Sequence, residues 1–285
     1  VFPLRPEGPA LLVSEMVKYD VLEYIPSILI PNLTLAPSSS LQQHVIVALV
    51  GSFVPFIVIY GACMCLVLVF ADILKSHKLD ERPVDMMFLK TEIRRSCNSC
   101  LMLAAWDVFL TRYVKGAVDI TPGALFDPYD VVTILPLTLV WADIHFYAIH
   151  RFLHSHPFLY KHIHKIHHES INTNVMSGLS FHPVEGFLYF SSLAFVLIAP
   201  MTRFQFFVFK LGLQISPIGG HIGYSATNVE KDEFDLNKAE HYTHHVKFNY
   251  NYGSGLFANN YGLSGAFPDG MIWDSVLNTV WDTSK

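Results

Sequence analysis

The stretch VVTILPLTLVWADIHFYAIHRFLHSHPFLYKHIHKIHH, residues 131–168, decides the fold. Val131–Ile149 is an apolar run whose one acid is Asp143, and it is long enough to cross a hydrocarbon layer as a helix. Its far end runs into His150 with no turn signal between. His150-Arg151-Phe152-Leu153-His154 sets two imidazoles four residues apart, on one helical face. After Pro157 comes His164-Lys165-Ile166-His167-His168, whose spacing i, i+3, i+4 turns three imidazoles to one side of a single turn. An apolar span thus delivers metal-type ligands to its own mouth.

Working outward, Leu41–Phe70 is almost wholly apolar, with Gly51, Pro55 and Gly61 placed to bend it. Cys97–Val114 reads as a weaker span, interrupted by Asp107. Phe187–Ala199 and Phe204–Ile218 flank Pro200 and Arg203 and read as a hairpin that crosses or dips into the membrane. In residues 1–40, Pro26, Pro31 and Pro37 exclude one long helix, which leaves a luminal or interfacial lead-in. Asp119–Asp130 reads as a turn. The expected fold is all-α, an integral membrane helical bundle of about four to five segments. Residues 41–285 then form one membrane domain, with a histidine-rich helical cap over 150–182 and 219–285.

Composition agrees. The chain is 52% hydrophobic and 15% charged, with a mean hydropathy of +0.36, and its net charge of −5 gives no reason to expect nucleic acid as a partner. The four cysteines lie in or beside apolar runs, and Cys97-x-x-Cys100 lacks the further ligands of a structural zinc site.

Charge orients the spans. Residues 72–96 hold Lys75, Lys78, Arg82, Lys90, Arg94 and Arg95, against two basic residues each in 1–40 and 112–130. The positive-inside rule makes 72–96 cytoplasmic. Alternating the spans from there brings every clustered histidine to the cytoplasmic face. It also leaves the sequon Asn32-Leu33-Thr34 on the luminal side.

Thirteen of the fifteen histidines lie between His145 and His245. The third cluster, His241-Tyr242-Thr243-His244-His245, repeats the spacing of the second. Two, three and three make eight nitrogen ligands, enough for two metal ions that each keep an open position. Neutral imidazole suits iron, zinc, copper and nickel alike. Asp143, Tyr147, His150 and His154 form one helical stripe, so Asp143 is placed to fix the second nitrogen of a ligand ring, or else is a helix-end carboxylate. Scattered surface or core histidines are the bland alternative for the eight.

The strings HRFLHSHPFLYKHIHKIHH (150–168), FHPVEGF (181–187) and HYTHHVKFNYNYG (241–253) resemble the fatty acid hydroxylase/sterol desaturase superfamily of membrane di-iron enzymes. They are most similar to sterol C5-desaturases (lathosterol oxidases) and next to C4-methylsterol oxidases. The resemblance implies His150, His154, His164, His167, His168, His241, His244 and His245 as metal ligands. It adds His182, in Phe-His-Pro, as a further ligand, and His221 stands where the last hairpin helix returns to the cytoplasmic side. Asp143 and Tyr147 are the candidate catalytic residues beside them. The pattern departs from the C5-desaturases at Leu179, where a histidine is usual, and in an extra residue after His154.

The resemblance further implies two iron ions, with zinc loading in purified protein, and O2 as oxidant. A sterol or acyl lipid is hydroxylated or desaturated, and the aromatic stretch Phe248–Tyr252 either lines its entrance or is an interfacial belt. No haem, flavin or dinucleotide motif is present in the sequence, so electrons come from outside, from cytochrome b5 and its NADH-dependent reductase. The expected location is the endoplasmic reticulum membrane, multi-pass, with the histidines facing the cytoplasm. Two other classes use the same ligands: a metal-binding or metal-transporting membrane protein, and a zinc hydrolase.

Overall fold

A computed structural model describes residues 39–119, 128–225, 240–254 and 272–280; side chains are described over the same ranges except 119, 128–133, 135 and 240. The lead-in over 1–38, the sequon at Asn32 and most of the 119–130 turn lie outside the described residues.

The described chain is mostly helical. Helix α1, Leu41–Val69, starts at Ser40, whose hydroxyl and the Gln43 side chain exchange bonds with each other's backbone N–H. Pro55 cannot donate to the helical ladder, and a π-turn follows at Phe56–Tyr60. Ile57, Leu68 and Val69 on α1 are 64%, 68% and 74% exposed, a large apolar surface with no partner among the described residues. Helix α2, Met86–Val108, is capped by the Asp85 carboxylate. Helix α3, Pro128–Ser155, carries the first histidine pair, and α4, Pro157–His162, turns away from it at Pro157.

Two 3-10 turns follow, His164–Glu169 and Val175–Leu179. Helix α5, Pro183–Phe190, continues into a 3-10 stretch over Ser191–Leu197. Strands β1, Val118–Asp119, and β2, Met201–Thr202, pair in parallel and lead into helix α6, Arg203–His221. Helices α7, Glu240–Val246, and α8, Ile272–Val276, complete the described chain.

The core lies between α2, α5, α6 and the 175–179 turn, around Leu103, Leu110, Leu179, Phe190 and Leu193, all fully buried. Gly178 lets that turn meet α6, because a Cβ there would stand 2.8 Å from the Pro217 carbonyl oxygen. Buried polar groups stitch the same layers. Ser99 Oγ donates to the Leu179 carbonyl (2.8 Å), and Tyr189 OH to that of Leu213 (2.7 Å).

Among the described residues one helix, α1, is long and apolar enough to cross a membrane, with mean hydropathy 2.4. The expected third span, Val131–Ile149, lies on α3, some of whose side chains are outside the described residues. The expected second span and hairpin hold Asp107, Arg203 and Lys210, which lower their hydropathy but are buried among other helices. Lys210 pairs with Asp107. Within the basic stretch 72–96, α2 begins at Met86.

Candidate metal centre

Nine histidines converge in two adjoining groups. The ligand nitrogens of His150, His154, His164, His168 and His244 lie within 4.8 Å of one another, and so do those of His167, His221, His241 and His245. Neither H-x-x-H-H triplet serves one group. On the 3-10 turn, His164 and His168 face the first group and His167 the second. On α7, His244 joins the first, and His241 and His245 the second. The groups touch, with His168 and His245 ring centroids 4.7 Å apart.

The nitrogen chemistry tests whether a cation fits. His150 Nδ1–H donates to the Tyr252 carbonyl (2.7 Å), His221 to Pro217 (2.7 Å) and His244 to Tyr250 (2.6 Å). A carbonyl can only accept, so each ring carries its proton on Nδ1 and presents an Nε2 lone pair inward. His164 Nδ1 meets Glu185 Oε1 at 2.6 Å in the same way. Nε2 atoms then face Nε2 atoms, His150 to His164 at 3.1 Å and His221 to His241 at 3.0 Å. His168 Nε2 stands 3.0–3.2 Å from three others, those of His154, His164 and His244. One ring nitrogen cannot hydrogen-bond three neighbours. Ligands about 2.1 Å from a common metal stand about 3.0 Å apart at right angles and about 3.4 Å apart in a tetrahedron. The spacing fits a shared cation in each group.

Burial also keeps the rings neutral, as ligation requires. It pushes His150 and His221 down to about 4, and the other seven lower still or in the same direction. Burial raises the Glu185 carboxyl, while the bond from His164 favours its ionised form.

Residues 135–269 match the fatty acid hydroxylase family. This segment is a fatty acid hydroxylase domain, and the chain is an oxidoreductase. A Delta(7)-sterol 5(6)-desaturase of Gibberella zeae is 29% identical over 80% of this chain and 70% of its own length. Lathosterol oxidase of Homo sapiens is 29% identical over 76% of this chain and 73% of its own. A very-long-chain aldehyde decarbonylase of Oryza sativa subsp. indica is 26% identical over 62% of this chain and 64% of its own. No solved structure matches the chain significantly.

Within and around the hydroxylase domain, other expected residues fall elsewhere. His182 belongs to neither group; its Nδ1 accepts the Val184 N–H and caps α5. Asp143 bonds no histidine. It accepts the Ser254 hydroxyl at 2.5 Å, and the second nitrogen of His150 is held by Tyr252 instead. Tyr147 OH meets Thr279 Oγ1 (3.1 Å) and accepts from Arg151 (2.8 Å). His145 contacts Ser191 Oγ, and His156 and His162 are exposed.

Three carboxylates have no role assigned from the sequence. Glu185, 4% exposed, orients His164. Glu92, fully buried on α2, accepts Ser170, Asn174 and Ser177, each at 2.7 Å, and so braces the turn bearing His164–His168. Asp274 accepts the Tyr252 and Gly253 N–H groups (2.8 and 2.7 Å), and through Tyr252 fixes the carbonyl that holds His150. An acid within an apolar helix was the signal for Glu185.

Beside both groups lies a cavity of about 680 Å³ between α3 and α6, walled chiefly by apolar side chains. His150, His164, His167, His221 and His241 form one end. Phe248 and Tyr252 do not line it. They pack on His168 and His244, which favours the belt over the entrance as the reading of 248–252.

Proposed function

We propose that this chain is a membrane-bound, O2-dependent di-iron oxidase that desaturates or hydroxylates a sterol, in the manner of the C5-desaturases or C4-methylsterol oxidases. The observation that carries the reading is the pair of adjoining all-histidine groups opening onto an apolar cavity. The nine clustered histidines are the proposed ligands, five for one ion and four for the other, with His182 left out.

Bound iron would supply O2 activation and the removal of hydrogen from an unactivated C–H bond. The chain's own part is to hold the ligands and keep water out. Glu185, Tyr250, Tyr252 and Pro217 fix four rings by Nδ1, so that four lone pairs point inward before any ion arrives. The apolar wall excludes water and positions the lipid. Residues 41–285 act as one catalytic unit of the endoplasmic reticulum membrane, multi-pass, with the histidines on the cytoplasmic side. Cytochrome b5 and its reductase supply electrons.

A long-chain acyl or aldehyde substrate is the second reading, favoured by the rice relative. Microsomes expressing the chain should convert a Δ7-sterol with O2 and NADH. His164→Ala and His244→Ala should each abolish conversion. Retained turnover in both would overturn the proposal, and lipid profiling with and without the chain separates sterol from acyl products.

A further inference from the structure

Resting on the membrane-oxidase reading, we propose that the substrate reaches the histidines sideways, through an opening between α3 and α6 framed on α6 by Gly212, Ser216 and Gly219. All three are exposed, and all three line the cavity that ends at His221. Leu139 on α3 and Ile215 on α6, 48% and 39% exposed, also line it. Surfaces that face both outside and cavity mark its mouth, and here they run along the apolar stretches of both helices toward the histidines.

The dimensions suit a lipid. At about 1.5 Å per helical residue, the cavity runs about 18 Å from His150 back to Thr138, and Gly212 lies about 13 Å from His221. The small residues are what keep the mouth open. A Cβ added at Gly212 would meet nothing within 4 Å, so the backbone borders empty space. The occupant is therefore an elongated apolar molecule arriving from the bilayer rather than from water.

The same glycine gives the test, because a large side chain there should fill the mouth without disturbing the packed fold. Gly212→Trp should keep its metal content and thermal midpoint, yet lower kcat/KM for a Δ7-sterol at least tenfold. Ile57→Trp, on the exposed face of α1 and away from the cavity, should behave as wild type. In phosphatidylcholine nanodiscs, a nitroxide on Gly212→Cys should collide with O2 more than with a water-soluble nickel chelate, and adding the Δ7-sterol should immobilise it. Undiminished turnover in a metal-loaded Gly212→Trp, or a nitroxide open to the nickel chelate and insensitive to the sterol, would overturn the portal. Immobilisation by the sterol without turnover would instead support the portal and sink the oxidase reading.

Discussion

At the scale of single residues, the ligands depend on groups that never touch a metal. Glu185 is a single carboxylate, but it sets the tautomer of His164. Glu185→Ala strands a buried Nδ1–H and lets the ring choose the other tautomer. Metal affinity should fall about 10- to 100-fold, read by competition with a chelator. Glu185→Gln keeps a carbonyl acceptor and should lose less. Proton linkage gives a second outcome. His150 and His221 titrate near 4 when folded, below the usual imidazole value of about 6.5. The unfolded chain therefore binds more protons between these values. The stability these rings contribute is complete above about pH 6.5 and is lost as pH falls toward 4, by up to about 1.4 kcal/mol per pH unit for each ring. The thermal midpoint of chelator-treated protein should drop steeply from pH 6.5 to 5. A flat profile would mean that these rings are not buried neutral.

Elements explain where sequence spacing fell short. The triplet spacing did place three imidazoles on one short turn, but a turn presents a fan of directions. With two groups in contact, His167 and His168 separate into different ones. Spacing alone cannot divide ligands between neighbouring ions, nor show that His182 is spent on capping α5. Asp107 looked like a flaw in a span. The structure instead pairs it with Lys210, 0% exposed, and so ties α2 to α6. Lys210→Met takes one partner from the buried Asp107 carboxylate and should destabilise the protein by up to about 3–5 kcal/mol. Lys210→Met with Asp107→Leu should recover most of that loss, as read by denaturation in detergent. Equal losses in the single and double variants would show that shape, not charge, holds the two helices.

For the whole molecule, the helical class and the histidine positions were legible because both are written in local periodicity. The carboxylates Glu92, Glu185 and Asp274 were not, because their partners lie 21 to 85 residues away in sequence. Sidedness is the remaining whole-chain property, and here structure and charge meet. The segment 77–79 pairs with 223–225: Leu79 N–H donates to the Gly223 carbonyl (3.0 Å) and Ser225 N–H to that of His77 (2.8 Å). The basic stretch 72–96 therefore lies beside the end of α6 that carries His221. Arg95 reaches the histidine turn as well, bonding the Ile166 carbonyl (3.1 Å) and Glu169 (2.7 Å). Whichever side holds one must hold the other, and the excess of Lys and Arg makes the cytoplasm the expected side. Cysteines placed at Lys78 and Lys165 should thus both react with an impermeant maleimide once the plasma membrane alone is permeabilised, while Asn32 should carry any glycan. Labelling of both only after the internal membrane is opened would invert the topology. Labelling of one without the other would contradict the 77–79 pairing itself, and with it the arrangement that sets the histidines beside the basic segment.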